Sequence, residues 1–223
     1  MTLQNNLRLI CTGFLLLYVS SSWAADYTYT SGGGLSPNDV FFPSIPFHTI
    51  RPGQNHVTLE VQSGTMSATD TGNEGYSVII DNGGSTPMVQ VDAGAILDYS
   101  GTVTTAATLR VAPNEYDCSI DNAGTIKQGT NATNGYAVLI DHIGWSDIVF
   151  NNTGIIQGKF SYTGNGFGDN VYLNVDDDGE INGSVTGPTN GADRLFLQFG
   201  LTTPVTNFTT GGTMDHVQGI QVG

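Results

Sequence analysis

The sequence predicts an all-β chain wound as a parallel β-solenoid, about five coils of roughly 30 residues each. Three observations lead there. The stretch GYSVIIDN at 75–82 returns sixty residues later as GYAVLIDH at 135–142. Five segments share one pattern: VTLEVQSGTM, MVQVDAGAI, DCSIDNAGTI, DIVFNNTGII and LNVDDDGEI. Each runs from alternating apolar residues into a polar corner, then Gly, one residue and an apolar residue. Their glycines, Gly64, Gly94, Gly124, Gly154 and Gly179, are spaced by 30, 30, 30 and 25. A fixed period of this size is the signature of a repeat architecture, and the echo is two periods.

The chain opens with one arginine, Arg8, and a short apolar run from Leu9 to Val19. Small residues at Ser22 and Ala24 follow, so residues 1–24 read as a Sec-type signal peptide. The run is too short to favour a membrane-spanning helix. Residues 25–56 hold Pro37, Pro43, Pro46 and Pro52 and show no period. Proline cannot donate to a strand ladder. This segment is expected to cap the first coil, since a repeat stack needs its open end covered. Residues 57–223 are the repeats.

Within a repeat, alternation of period two puts every second side chain on one face. Val57, Leu59 and Val61 form one such set, and Val171, Leu173 and Val175 another. TAATLRV at 105–111 is the worn copy between the two echoes, so Val78, Leu109 and Val138 should be equivalent. The corners call for residues tolerant of positive φ, which Gly and Asn supply. Before the repeated glycines stand Asp92, Asn122, Asn152 and Asp178. Stacked Asn122 and Asn152 can form an amide ladder, whereas stacked Asp must be exposed or ion-bound. The chain ends in DHVQGIQVG with no polar cap, which predicts self-association through that coil or a longer parent chain.

Asp and Glu number 20 against 6 Lys and Arg, a net charge of −14. Phosphate binding needs clustered positive charge, so nucleic acid is not an expected partner. Cys11 lies in the presumed signal, leaving Cys118 without an intrachain partner and reading as a small buried residue. His48, His56, His142 and His216 are scattered, without zinc spacing. No nucleophile elbow or phosphate-cradling loop is present. The best carboxylate cluster is Asp176, Asp177 and Asp178, the basis for an alternative as a polysaccharide lyase or hydrolase with Lys159 one coil away. Partial matches to a calcium nonapeptide add Asp169 in GNGFGDNVY and Asp193 in PTNGADRLF. Calcium is thus the one cofactor the residues suggest, on Asp169, Asp176, Asp177, Asp178 or Asp193, and otherwise no cofactor is expected. Sequons stand at Asn131, Asn151, Asn182 and Asn207.

Residues 57–200 resemble the passenger repeats of bacterial autotransporters. NAGTIKQG at 122–129, NTGIIQG at 152–158 and GEING at 179–183 carry the family's N-x-G-x-I-x-G and G-x-I-N-G elements. Asp147, Asp169 and Asp193 each begin its D-x-apolar strand. The resemblance implies a right-handed parallel β-helix exported to the cell surface, often an adhesin that binds a host-surface protein or glycan. The family's C-terminal membrane barrel has no counterpart in these residues. The expected function is therefore a secreted structural or adhesive module without catalysis. A remnant of a longer autotransporter gene is the further alternative.

Overall fold

The computed structural model describes residues 27–32, 48–50, 57–68, 76–81, 88–112, 117–141, 147–176, 178–200 and 212–222. The expected signal segment, most of the expected cap, and Asp177, His56, His142 and Asn207 lie outside them. Among the described residues every regular element is a β-strand, with no helix.

Three sheets are formed, and every strand pair in them is parallel. The first has eight strands in the order β1 (Tyr27–Gly32), β3 (Val57–Ser63), β6 (Met88–Val91), β9 (Cys118–Asn122), β12 (Asp147–Asn152), β15 (Asn170–Val175), β18 (Arg194–Phe199) and β20 (Gly219–Val222). The second has five: β4 (Thr65–Ala68), β7 (Ile96–Tyr99), β10 (Thr125–Lys127), β13 (Ile155–Gln157) and β16 (Glu180–Ile181). The third has seven: β2 (His48–Ile50), β5 (Tyr76–Asp81), β8 (Ala107–Ala112), β11 (Tyr136–Ile140), β14 (Phe160–Tyr162), β17 (Val185–Thr186) and β19 (Met214–Asp215). From β3 to β18 the chain visits the eight-, five- and seven-stranded sheets in unbroken rotation.

The register follows the sequence repeat. Leu59 pairs with Val89, Val89 with Ile120, and Ile120 with Phe150. The expected equivalence of Val78, Leu109 and Val138 holds, since Val78 pairs with Leu109 and Leu109 with Val138. Tyr76 and Tyr136 both pair with Ala107. The period also reaches further toward the N-terminus than the proline-rich segment suggests: Tyr27 pairs with Val57, and His48 with Val78.

Alternation explains why each strand faces as it does. In β12, Ile148, Phe150 and Asn152 are buried while Asp147, Val149 and Asn151 face outward. Leu59, Val61, Val171, Leu173 and Val175 are fully buried in one continuous core. Burying each such side chain contributes on the order of 1.5–3 kcal/mol before entropy is subtracted. Phe150 and Phe160 meet edge to face across that core, centroids 5.5 Å apart. At the far end Ile220 pairs in register with buried Leu197 yet is 58% exposed, and Met214 is 45% exposed.

The five repeat glycines divide into two physical classes. Gly64 and Gly94 adopt positive φ, 70° and 82°, as the corner argument expects. Gly124, Gly154 and Gly179 do not. There a Cβ would strike a carbonyl oxygen of the preceding repeat: Ala95 O, Gly124 O and Asn152 O respectively. Asn122 and Asn152 also have ordinary φ, so their place in the corner is not owed to left-handed backbone.

Candidate functional site

Asp176 and Asp178 lie in different environments. Asp176 is 6% exposed, and its carbonyl accepts from Gly179 N at 2.9 Å, closing a tight corner. Asp178 is exposed. The turn closed between Asp176 O and Gly179 N, not strand alternation, sets the two side chains in different environments, since two positions apart on an extended strand would share a face. Among the described residues no three His, Cys, Asp or Glu side chains come close enough to share a metal ion.

Asp193 is held by five hydrogen bonds. Its Oδ2 accepts from the backbone N–H of Asn165 and Gly166, at 2.5 and 2.7 Å, and from Asn190 Nδ2 at 2.8 Å. Its Oδ1 accepts from Gly168 and Asp169 N–H, at 2.8 and 3.0 Å. Gly164, Gly166 and Gly168 all have positive φ, which turns successive N–H groups of this loop inward. Burial pushes the Asp193 carboxyl up, but the donors of Gly166, Gly168, Asn190 and Asp169 outweigh it and hold the pKa at about 2. A cation at Asp193 would have to displace five N–H donors, so the carboxylate works as an internal anion for this loop. The loop carries Phe167 at its tip, 52% exposed. Asp169 is itself buried. The partial nonapeptide match thus marks a loop tied to the next repeat by hydrogen bonds.

The corner amides Asn122 and Asn152 stack one repeat apart. Asn122 Nδ2 donates to Asn152 Oδ1 at 2.7 Å and to Ile155 O at 3.3 Å. Asn152 Nδ2 reaches Gly154 O and Glu180 O. A second polar row, which the sequence reading did not single out, runs along the outer face of the eight-stranded sheet. Glu60, Gln90, Asp121, Asn151, Asn174 and Gln198 are successive register partners. Asn151 Nδ2 donates to Asp121 Oδ1, and Asn174 Nδ2 to Asn151 Oδ1, both at 2.7 Å. Its sequence signal is the polar residue between the buried pair in each alternating segment. Beside this row Tyr172 and Phe196 stack, centroids 5.4 Å apart and planes 13° from parallel.

Cys118 is buried, and burial, then the charge of Asp117, pushes its thiol far up. His216 is exposed and lies 2.9 Å from Asp215. Sequon residue Asn131 donates to Gly101 O at 3.0 Å and Asn182 to Glu180 Oε2 at 3.1 Å, so both are engaged locally.

No family model, no curated protein and no solved structure matches this chain.

Proposed function

We propose that the chain is a right-handed parallel β-solenoid exported from the cell and serving as a structural and adhesive module, like the autotransporter passengers its repeats resemble. The observation that carries this reading is the unbroken rotation of the chain through three parallel sheets in register. Such stacking builds long, flat outer faces, and the face of the eight-stranded sheet offers a polar row beside the stacked Tyr172 and Phe196. Faces of this kind bind through many modest polar and aromatic contacts with a host-surface protein or glycan. Self-association belongs to the same proposal, through the β20 edge where Ile220 is exposed.

Two measurements test it. Small-angle scattering of the purified chain should fit a stack roughly 34 Å along its axis, since eight strands lie at about 4.8 Å spacing. Immobilised protein should retain glycan- or matrix-coated beads while acidic polysaccharides incubated with it stay intact. Release of unsaturated or reducing-end fragments, lost in Asp177→Asn, would establish the lyase or hydrolase alternative instead.

A further inference from the structure

The outer face of the eight-stranded sheet changes character between β12 and β15. On β15 the outward positions are Asn170, Tyr172 and Asn174, alternating with buried Val171, Leu173 and Val175. On β18 they are Arg194, Phe196 and Gln198, alternating with buried Leu195, Leu197 and Phe199. The six are direct register partners: Asn170 with Arg194, Tyr172 with Phe196, and Asn174 with Gln198. None is a carboxylate, whereas earlier strands of the same face present Glu60, Asp121 and Asp147. In a chain of net charge −14 this end of the face is a local exception.

Its centre is held in place. The Tyr172 and Phe196 rings stack with planes 13° from parallel and centroids 5.4 Å apart. On the next strand Phe196 pairs with Gly219, where a Cβ would meet Phe196 Cδ1 at 2.8 Å, so the glycine makes room for the ring over β20. Phe196 is thus fixed from both sides, while both rings stay only half-buried. Aromatic groups already fixed in this way lose little freedom when a ligand packs on them. Arg194 stands two residues before Phe196 on the same face and is exposed. Arg110 is paired with Asp141 at 2.6 Å and Lys127 lies 4.0 Å from Asp98, but among the described residues no carboxylate pairs with Arg194. Its planar fork of N–H donors fits a carboxylate through two parallel hydrogen bonds.

We propose that Arg194, Tyr172 and Phe196 form a binding site for an oligosaccharide that ends in a sugar carboxylate, a sialate or a uronate. The inference rests on the adhesive reading above and names the sugar class this face takes. The carboxylate pairs with the Arg194 guanidinium. The C–H face of the adjoining sugar packs on the open parts of the two rings, and its hydroxyls reach the amides of Asn170 and Gln198. Four residues along an extended strand span about 13 Å, so Arg194 and Gln198 bracket a tract the length of a di- or trisaccharide. The charge arithmetic selects this occupant. One guanidinium matches one carboxylate, whereas a polysulfated chain needs clustered cations and here meets a net charge of −14. A neutral glycan leaves the guanidinium without its counter-charge.

The test is saturation-transfer NMR titration of the full chain with sialyllactose and with an aldobiouronate, each against its methyl ester, which keeps the sugar and removes the charge. At least one acid should bind, with its ester about tenfold weaker or more. Which acid binds separates a sialate from a uronate. Arg194→Gln, at an exposed position, should remove the preference for the acid without lowering Tm. Lys159→Gln takes the same charge from another part of the chain and should leave binding unchanged. Phe196→Ala should weaken the acid although the guanidinium stays, and Arg194→Gln decides the matter if that variant folds poorly. Neither acid bound, an ester bound as well as its acid, or a preference retained by Arg194→Gln overturns the site. Beads coated with other glycans or with matrix protein are still retained if adhesion runs through another face, so failure of this site is distinguishable from failure of the adhesive module.

Discussion

The side-chain amide of Asn122 donates to Oδ1 of Asn152 at 2.7 Å, with both residues 1% exposed and one repeat apart. The ladder stops there because Val91 pairs with Asn122 on one side and Val175 with Asn152 on the other. Asn152→Ala removes the acceptor of Asn122 and the donor to Gly154 O and Glu180 O together. It should cost about 2–3 kcal/mol. Asn122→Ala deletes a residue whose Oδ1 is already unsatisfied, and should cost about 1–2 kcal/mol. Urea midpoints of the two variants and their double give the coupling. A coupling of zero would show that the bond contributes nothing.

The parallel pairing was readable from the spacing of Gly64, Gly94, Gly124 and Gly154, because stacked repeats place equivalent residues in one register. The strands at Tyr27–Gly32 and His48–Ile50 were not, because the proline-rich sequence around them masks the period. The Asn122–Asn152 ladder was legible for the same reason as the glycines. The role of Asp193 was hidden: spacing marks it as an acidic residue at a strand start. What decides its chemistry is which N–H groups a loop one repeat earlier turns toward it.

The two glycine classes predict different penalties. In Gly154→Ala the new Cβ meets Gly124 O and the Ala123 carbonyl carbon, both backbone, so the stacked repeats must move apart. The cost should be about 3 kcal/mol. At Gly94 nothing lies within 4 Å of the new Cβ, and only the positive φ of 82° is penalised. Gly94→Ala should cost about 1–2 kcal/mol. Denaturant midpoints rank the pair, and a Gly94→Ala variant less stable than Gly154→Ala would refute close stacking as the reason for Gly154.

Cys118 tests the inward face of β9. Its thiol is buried against the continuous core and its pKa is raised, first by burial and second by Asp117, so thiolate is scarce at neutral pH. Ellman's reagent at pH 8 should leave Cys118 unmodified in the native protein and label it fully in denaturant. Peptide mapping assigns the adduct. Rapid labelling of the folded chain at Cys118 would contradict the register of Cys118 with Ile148.

Asp193→Asn preserves shape but presents an NH₂ group where only acceptors fit. One of the two backbone pairs, Asn165 with Gly166 or Gly168 with Asp169, would then face a donor. Charged acceptors of this kind contribute more than neutral ones, and the loss should be about 2–4 kcal/mol. Hydrogen exchange should show the Gly164–Gly168 amides unprotected in the variant while those of β9 and β12 keep their rates.

The same carboxylate sets a pH dependence whose sign follows from its depressed pKa. Asp193 titrates at about 2 when folded, against about 3.9 in an unfolded chain. Between those values the unfolded state binds the proton that the folded state refuses, so acid favours unfolding. The contribution is complete above about pH 4 and disappears as the pH falls through about 2, amounting to about 2 kcal/mol. With 20 acidic residues in the chain, the raw acid profile mixes many groups. The difference between wild type and Asp193→Asn isolates one: it should stay flat from pH 7 to 5, then narrow steadily toward pH 2 as the wild-type carboxyl takes up its proton. A difference that stays constant down to pH 2 would mean that the five N–H donors do not hold Asp193 in its charged form.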